Sequence, residues 1–268
     1  MPTRGRHTGV MAIQDTAPRT VGVMVRRWRM RRRLSQLDLA LEAEVSARHI
    51  SFVETGRATP SRAMVLRLAG VLDVPRREQN HMLVAAGHAP AYSERPLDAP
   101  DMAAVQAGLA RVLAAYEPYP CIVVNRVWDL VSANTGTSVL LAGVAPHLLD
   151  RPNALRIALH PEGLAPRIRN LGQWRGHLIE RLRREVAADD TGELTALLDE
   201  VGGYPGAEDR FPDLGGVAVP LELTTPDGAE LRLLSMVTTF GTALDLTAAE
   251  LSIEAFLPAD AATAALLR

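Results

Sequence analysis

The chain has 268 residues, a formal net charge of −2, 47% hydrophobic content and one cysteine. That length suits one large domain or two modest ones, and the composition excludes a wholly disordered chain. The lone Cys121 excludes an intramolecular disulfide and an all-thiolate metal cage, and no apolar run reaches the ~18–20 residues of a membrane-spanning helix. The N-terminus lacks the basic-then-apolar layout of a secretory signal, so the expectation is a cytoplasmic protein with no membrane partner. The near-zero charge averages two unlike parts. Residues 1–97 carry 16 arginines against 8 carboxylates, and residues 98–268 carry 13 against 23. There is no lysine. Opposite signs point to different partners, nucleic acid being the natural one for the basic part.

Residues 1–19 are polar, without apolar period, and read as a disordered leader. From Val21 to about Gly87 the pattern is helical, broken at Leu34–Ser35, Glu44–Ser46, Thr55–Ser61 and Asp73–Pro75. Residues 88–100 hold three prolines and no period, as a linker would. Asp101–Tyr116 reads as an amphipathic helix with Asp101 as N-cap. Cys121–Val124 and Trp128–Val131 read as short strands joined by Asn125-Arg126. Asn134 is placed to cap a helix through Leu141. Helices are expected from Pro166 to about Ala188, and over Gly192–Val201. Val217–Thr224 and Leu231–Phe240 read as strands flanking the turn Pro226-Asp227-Gly228, and Leu251–Phe256 as a further strand.

Within the basic part, Val21, Val25 and Trp28 share one face of a first helix. Ser35-Gln36 opens a second, with Leu37, Ala40 and Leu41 expected inward. Ser46 caps a third, Ala47–Glu54, with Ile50 and Val53 inward, and Thr55-Gly56 ends it. Ser61 caps a fourth, with Met64, Val65, Leu68 and Leu72 inward. Helices two and three, joined by Ala43-Glu44-Val45, form a helix-turn-helix.

Leu34-Ser35-Gln36, Leu39-Ala40, Val45-Ser46, Ile50-Ser51, Glu54-Thr55-Gly56, Pro60-Ser61 and Leu68-Ala69, in this order, resemble the XRE (Cro/C1-type) helix-turn-helix family over residues 20–87. The resemblance implies a lambda-repressor-like five-helix, all-α domain that binds double-stranded DNA as a homodimer; lambda and 434 repressors are standard examples of that docking. It implies that Ala47, Arg48, His49 and Phe52 face the major groove. Arg48 suits guanine O6 and N7, and Ala47 or Phe52 a thymine methyl. The family usually has a polar residue where Phe52 sits. Gln36, Arg57, Ser61 and Arg62 match phosphate-contacting positions. Arg29 and Glu54 match a buried ion pair, whose disruption costs ~3–5 kcal/mol. The run Arg26, Arg27, Arg29, Arg31, Arg32 and Arg33 reads as phosphate attraction rather than membrane binding, with salt-dependent affinity.

In the acidic part, Trp128-Asp129, Asn134, the 153–161 segment ending in His160-Pro161, Thr238-Thr239-Phe240-Gly241, Asp245-Leu246-Thr247 and Pro258-Ala259-Asp260 resemble the MmyB-like ligand-binding domain. Arg48-His49-Ile50-Ser51-Phe52 before Glu54-Thr55-Gly56 often precedes it. The resemblance covers 101–268 and implies an α+β PAS-like fold holding a small apolar, fatty-acid-like effector. Candidates to line its pocket are Ile122, Val124, Trp128, Leu130, Trp174, Leu178, Leu233 and Met236, although ordinary core is the plainer reading of each. A carboxylate ligand would need Arg126, Arg169, Arg175 or a tryptophan N–H, and the sequence does not choose among them.

Catalytic readings fare badly. His147, His160 and His177 are widely spaced in sequence, Cys121 sits in an apolar strand, and there is no glycine-rich phosphate loop. Asp189-Asp190 reads as a helix end. The expectation is a transcription regulator, not an enzyme, without metal or resident cofactor. The alternative is a DNA-binding adaptor whose acidic part binds protein rather than a small ligand.

Overall fold

The computed structural model describes residues 20–188, 192–206, 218–241 and 243–268. The expected leader at 1–19, the Asp189-Asp190 pair and Val217 lie outside the described residues. The chain divides after Ala91 into two compact units.

The first unit is five helices: α1 (Val21–Arg31), α2 (Gln36–Glu42), α3 (Ala47–Glu54), α4 (Arg62–Val71) and α5 (Arg76–Ala85). Thr20, Ser35, Ser46 and Ser61 cap the first four through their hydroxyls, each worth ~1 kcal/mol. Ser35 does so in a reciprocal box with Asp38, and those hydrogen bonds hold the Asp38 carboxyl below the usual carboxylate range. Val25, Ile50, Val53, Val65, Leu68 and Leu72 make the core. Gly22 lets α1 lie directly on α3, since a Cβ there would stand 2.2 Å from the Val53 carbonyl oxygen. The inward face of α2 differs from the expected one. Leu39 and Ala40 are buried, whereas Leu37 and Leu41 are 59% and 70% exposed. The Ser35 cap sets the rotation of this short helix, and apolar residues occur on both of its sides. Past α5, the Ala91 N–H donates to Asn80 Oδ1 and His88 Nε2 meets the Pro60 carbonyl, so the chain stays bound to this unit beyond Gly87.

The second unit runs α6 (Ala103–Ala115), β1 (Cys121–Val124), β2 (Leu130–Ala133), α7 (Ser138–Leu141), α8 (His147–Asp150), α9 (Ala154–Leu159), α10 (Leu171–Ala188) and α11 (Glu193–Gly202). Then follow β3 (Leu221–Thr224), β4 (Glu230–Thr239), α12 (Leu246–Ala249), β5 (Ser252–Pro258) and α13 (Ala261–Leu266). The strands form one antiparallel sheet ordered β2-β1-β5-β4-β3. With helices packed on it, this is the α+β PAS-like architecture. Alternation along the strands divides the interior. Ile122, Val124, Leu233 and Phe256 face a large core shared with α9, α10 and α11. Cys121, Val123, Ile253 and Ala255 face a smaller core under α6.

Several boundaries differ from those expected. Asp101 does not cap α6; Pro100 starts a 3-10 turn one residue earlier, and Asp101 pairs with Arg95 instead. The second strand begins at Leu130, not Trp128. Asn125 Oδ1 accepts the N–H groups of Val127 and Asp129, and Trp128 takes a left-handed φ of 67° inside that turn. Asn134 occupies a helix-start position, but its side chain ties β1 to α6 and to the loop between them, accepting from the Cys121 N–H and donating to the Leu113 and Tyr119 carbonyls. The long helix begins at Leu171, because Ala165–Arg167 forms a separate 3-10 turn. No helix among the described residues is long and apolar enough to cross a membrane.

Candidate nucleic-acid interface and apolar cavity

The helix-turn-helix is α2 and α3, joined by a turn in which Glu44 has φ 54°. Its support is a buried polar cluster. Arg29 Nε and Nη2 donate to the two Glu54 carboxylate oxygens at 2.6 and 3.0 Å, and Nη1 donates to the Leu34 carbonyl at 2.8 Å. Gln36 Nε2 adds a bond to Glu54 Oε2 at 2.8 Å. The Glu54 side chain is only 3% exposed, and its hydrogen bonds hold the Arg29 guanidinium above its ordinary pKa. The expected ion pair therefore also fixes Gln36 at the start of α2. Gln36 is half-buried, with its amide nitrogen on Glu54.

On the outer face of α3, Arg48 is exposed, and Ala47, His49, Ser51 and Phe52 are half-buried. The Arg48 guanidinium lies over the Phe52 ring, 5.1 Å from its centroid. Positions i and i+4 share a helix face, so the apolar Phe52 serves as a platform for the arginine next to it. Arg57, Ser61 and Arg62 are exposed at the start of α4, where Ser61 is the cap. The six-arginine run is not uniform. Arg29 is half-buried against Glu54, Arg31 packs over Trp28 at 4.7 Å, and Arg32 bonds the Leu72 carbonyl and Asp73 at the end of α4. Arg26, Arg27 and Arg33 are exposed. The reading of the whole run as phosphate-attracting is corrected to that extent, because the first helix also anchors its neighbours.

In the second unit an apolar cavity of about 60 Å³ lies between the sheet and α9–α10. Ile122, Trp128, Leu130, Trp174 and Leu178 line it. Val124 and Leu233 are buried in the same core but outside the lining. Met236 is 49% exposed. It pairs with Ala255 and so faces the α6 side of the sheet. Arg175 is buried, with Nη2 on the Gly202 carbonyl, and does not line the cavity. Leu140, Leu155, Ile157, Leu164, Leu221 and Phe256 also line it; helices of four to six residues carry the first three, too short to show a clear period.

One carboxylate, Glu254, is set in the wall and buried. It accepts from the Ser235 hydroxyl and lies 3.6 Å from Arg181. Arg181 stacks on Trp128 at 4.2 Å and reaches Glu185 at 3.2 Å, while the Trp128 indole N–H donates to Glu185 at 2.7 Å. That indole N–H is thus already used. Of the other anchors considered, Arg126 pairs with Glu193 and Arg169 with Glu230.

The fold brings His147 and His160 together despite their separation in sequence, with ring centroids 5.6 Å apart. With Glu162 they present three ligand-type atoms within 4.8 Å. The Glu162 backbone N–H donates to His160 Nδ1. That bond puts the ring proton on Nε2, so His160 has no nitrogen left to ligate a metal in this arrangement. Burial pushes the Cys121 thiol up to about 11, which keeps it protonated and a poor nucleophile.

A family model described as "MmyB-like transcription regulator ligand binding domain" matches residues 105–268, and one described as "Helix-turn-helix" matches residues 25–79. No curated protein matches the chain. Among solved structures, an RNA-binding light-oxygen-voltage receptor is similar at 14% identity and a TM-score of 0.29, over 89% of this chain. The chain spans 58% of that receptor's length, and a likeness of this size carries no argument.

Proposed function

Starting from the chain's membership of the MmyB-like transcription regulators, we propose that it binds operator DNA as a homodimer and releases or grips it according to a small apolar, fatty-acid-like effector. The chain is a DNA-binding transcription regulator with a ligand-binding domain. Such families are not families of enzymes. For the DNA half, the supporting observation is the exposed Arg48 held over Phe52 on a helix braced by Glu54. In this reading Ala47, Arg48, His49 and Phe52 meet base edges, and Gln36, Arg57, Ser61 and Arg62 meet phosphates. Two copies would engage half-sites ~34 Å apart.

For the effector half, the supporting observation is the apolar cavity lined by Trp128 and Trp174. At about 60 Å³ it holds only a few water-sized spheres, against ~300–1,000 Å³ for ordinary ligand sites. An effector must therefore widen it, and one that binds the widened form better shifts the population toward it. The same small volume favours the second reading, a protein-binding adaptor. Native mass spectrometry of freshly purified chain separates them. Co-purified fatty acid, and a change in operator affinity when it is removed and restored, supports the effector. A ligand-free chain whose operator affinity ignores added fatty acids rejects it.

A further inference from the structure

A half-buried aromatic ring in a small helical domain ordinarily spends its apolar surface on the core. Phe52 does not. It belongs neither to the core of the first unit nor to the apolar residues packed against that core, whereas Ala47, the other apolar side chain on the outer face of α3, is packed there. The Phe52 backbone is nonetheless held in place, since its carbonyl accepts from the Arg57 and Ala58 N–H groups at 2.8 and 3.1 Å. Its ring is covered by the exposed Arg48 guanidinium, 5.1 Å from the centroid.

That stacking constrains what the arginine can read. An arginine that bonds guanine O6 and N7 through two parallel N–H groups lies in the plane of that base. A ring on the face of the guanidinium then stands at the level of the neighbouring base pair, ~3.4 Å along the duplex. The major-groove edge of a base pair presents hydrogen-bond donors and acceptors and one sizeable apolar group, the C5 methyl of thymine. A ring set against a donor or acceptor strips its water and returns no bond. A ring set against the methyl removes apolar surface from water. We infer that Arg48 and Phe52 form a single reader of a two-base-pair step, a guanine next to a base pair whose pyrimidine carries a C5 methyl. In unmodified DNA that pyrimidine is thymine. 5-Methylcytosine presents the same methyl, so methylation of cytosine at this step strengthens binding. The inference rests on the reading of α3 as the base-reading helix, and adds Phe52 as the specificity-determining residue and C5 methylation as the chemistry it detects.

A duplex selected from random sequence by the full-length wild-type chain tests this. Comparison of Arg48→Ala with the wild type on single-base variants of that duplex identifies the guanine. The pyrimidine of each neighbouring base pair is then varied among thymine, uracil, cytosine and 5-methylcytosine. At one neighbour the wild type is expected to bind thymine about fourfold more tightly than uracil, and 5-methylcytosine about fourfold more tightly than cytosine. Phe52→Asn should lose both ratios while still preferring the selected duplex to random DNA, which also shows that the variant is folded. Phe52→Ala replaces it, with the same outcomes expected, if Phe52→Asn binds no duplex. A methyl effect at neither neighbour overturns the inference, and so does one that persists without the ring. If Arg48→Ala loses affinity equally on every duplex, the reading of α3 falls and the inference with it. If Arg48 picks out a guanine and neither methyl matters, the inference alone falls.

Discussion

Each unit leaves some buried polar atoms without a partner, Glu78 Oε2 in the first and Arg167 and Arg175 nitrogens in the second, but their best-defined buried charges differ. In the first, Glu54 is enclosed and fully engaged, accepting from Arg29 and Gln36. In the second, Arg167 and Arg175 bury N–H groups that nothing among the described residues accepts. A satisfied polar cluster rigidifies its surroundings, and an unsatisfied one leaves free energy to be gained by binding. The helix-turn-helix is thus braced by a paired cluster, whereas the core of the second unit keeps buried donors without acceptors.

The largest expected effect tests the finished half. Glu54→Ala strands Arg29 and Gln36 in the core and should cost ~3–5 kcal/mol of stability, read as a lowered thermal midpoint. An unchanged midpoint would mean that the cluster does not brace the unit. Arg48→Ala comes next. It should remove ~1–3 kcal/mol of discrimination at one base pair, visible in a binding-site selection. If affinity for operator and random DNA fell equally, Arg48 would not read bases. Arg62→Ala should weaken all sequences alike and lower the salt-dependence slope by about one; a loss confined to the operator would contradict a phosphate role. The smallest effect concerns the turn. Glu44 sits at a left-handed φ, so Glu44→Gly should stabilise the unit by about 0.5–1 kcal/mol in a denaturant titration. A destabilised protein would show that the Glu44 side chain matters more than its backbone.

The first unit was largely legible because serine caps and a 3.6-residue period agree there. The exception, Leu37 and Leu41, lies on a seven-residue helix whose two sides are both apolar, so the period alone could not orient it. The second unit was less legible for identifiable reasons. The helix ending at Leu141 was expected, whereas α8 and α9 were not, although Asn153 caps α9 through its side chain. Trp128 looks like a strand residue but is held in a turn by Asn125. Leu233 and Met236 cannot both face one side of a regular strand, since their spacing of three is odd; parity alone would have excluded one. The meeting of His147 with His160 exists only in three dimensions.

The double burial of β1 has a mechanical consequence. Its four residues are all buried, with the cavity's core against one face of the sheet and the floor of α6 against the other. Protein interiors are close-packed and nearly incompressible. A guest that enters on one side must push either the surrounding helices or the partition itself, and a moving partition acts as a piston on α6. That helix is the first α-helix after the chain leaves the DNA-reading unit, so under the proposed function volume added in the second unit would arrive as displacement at its start.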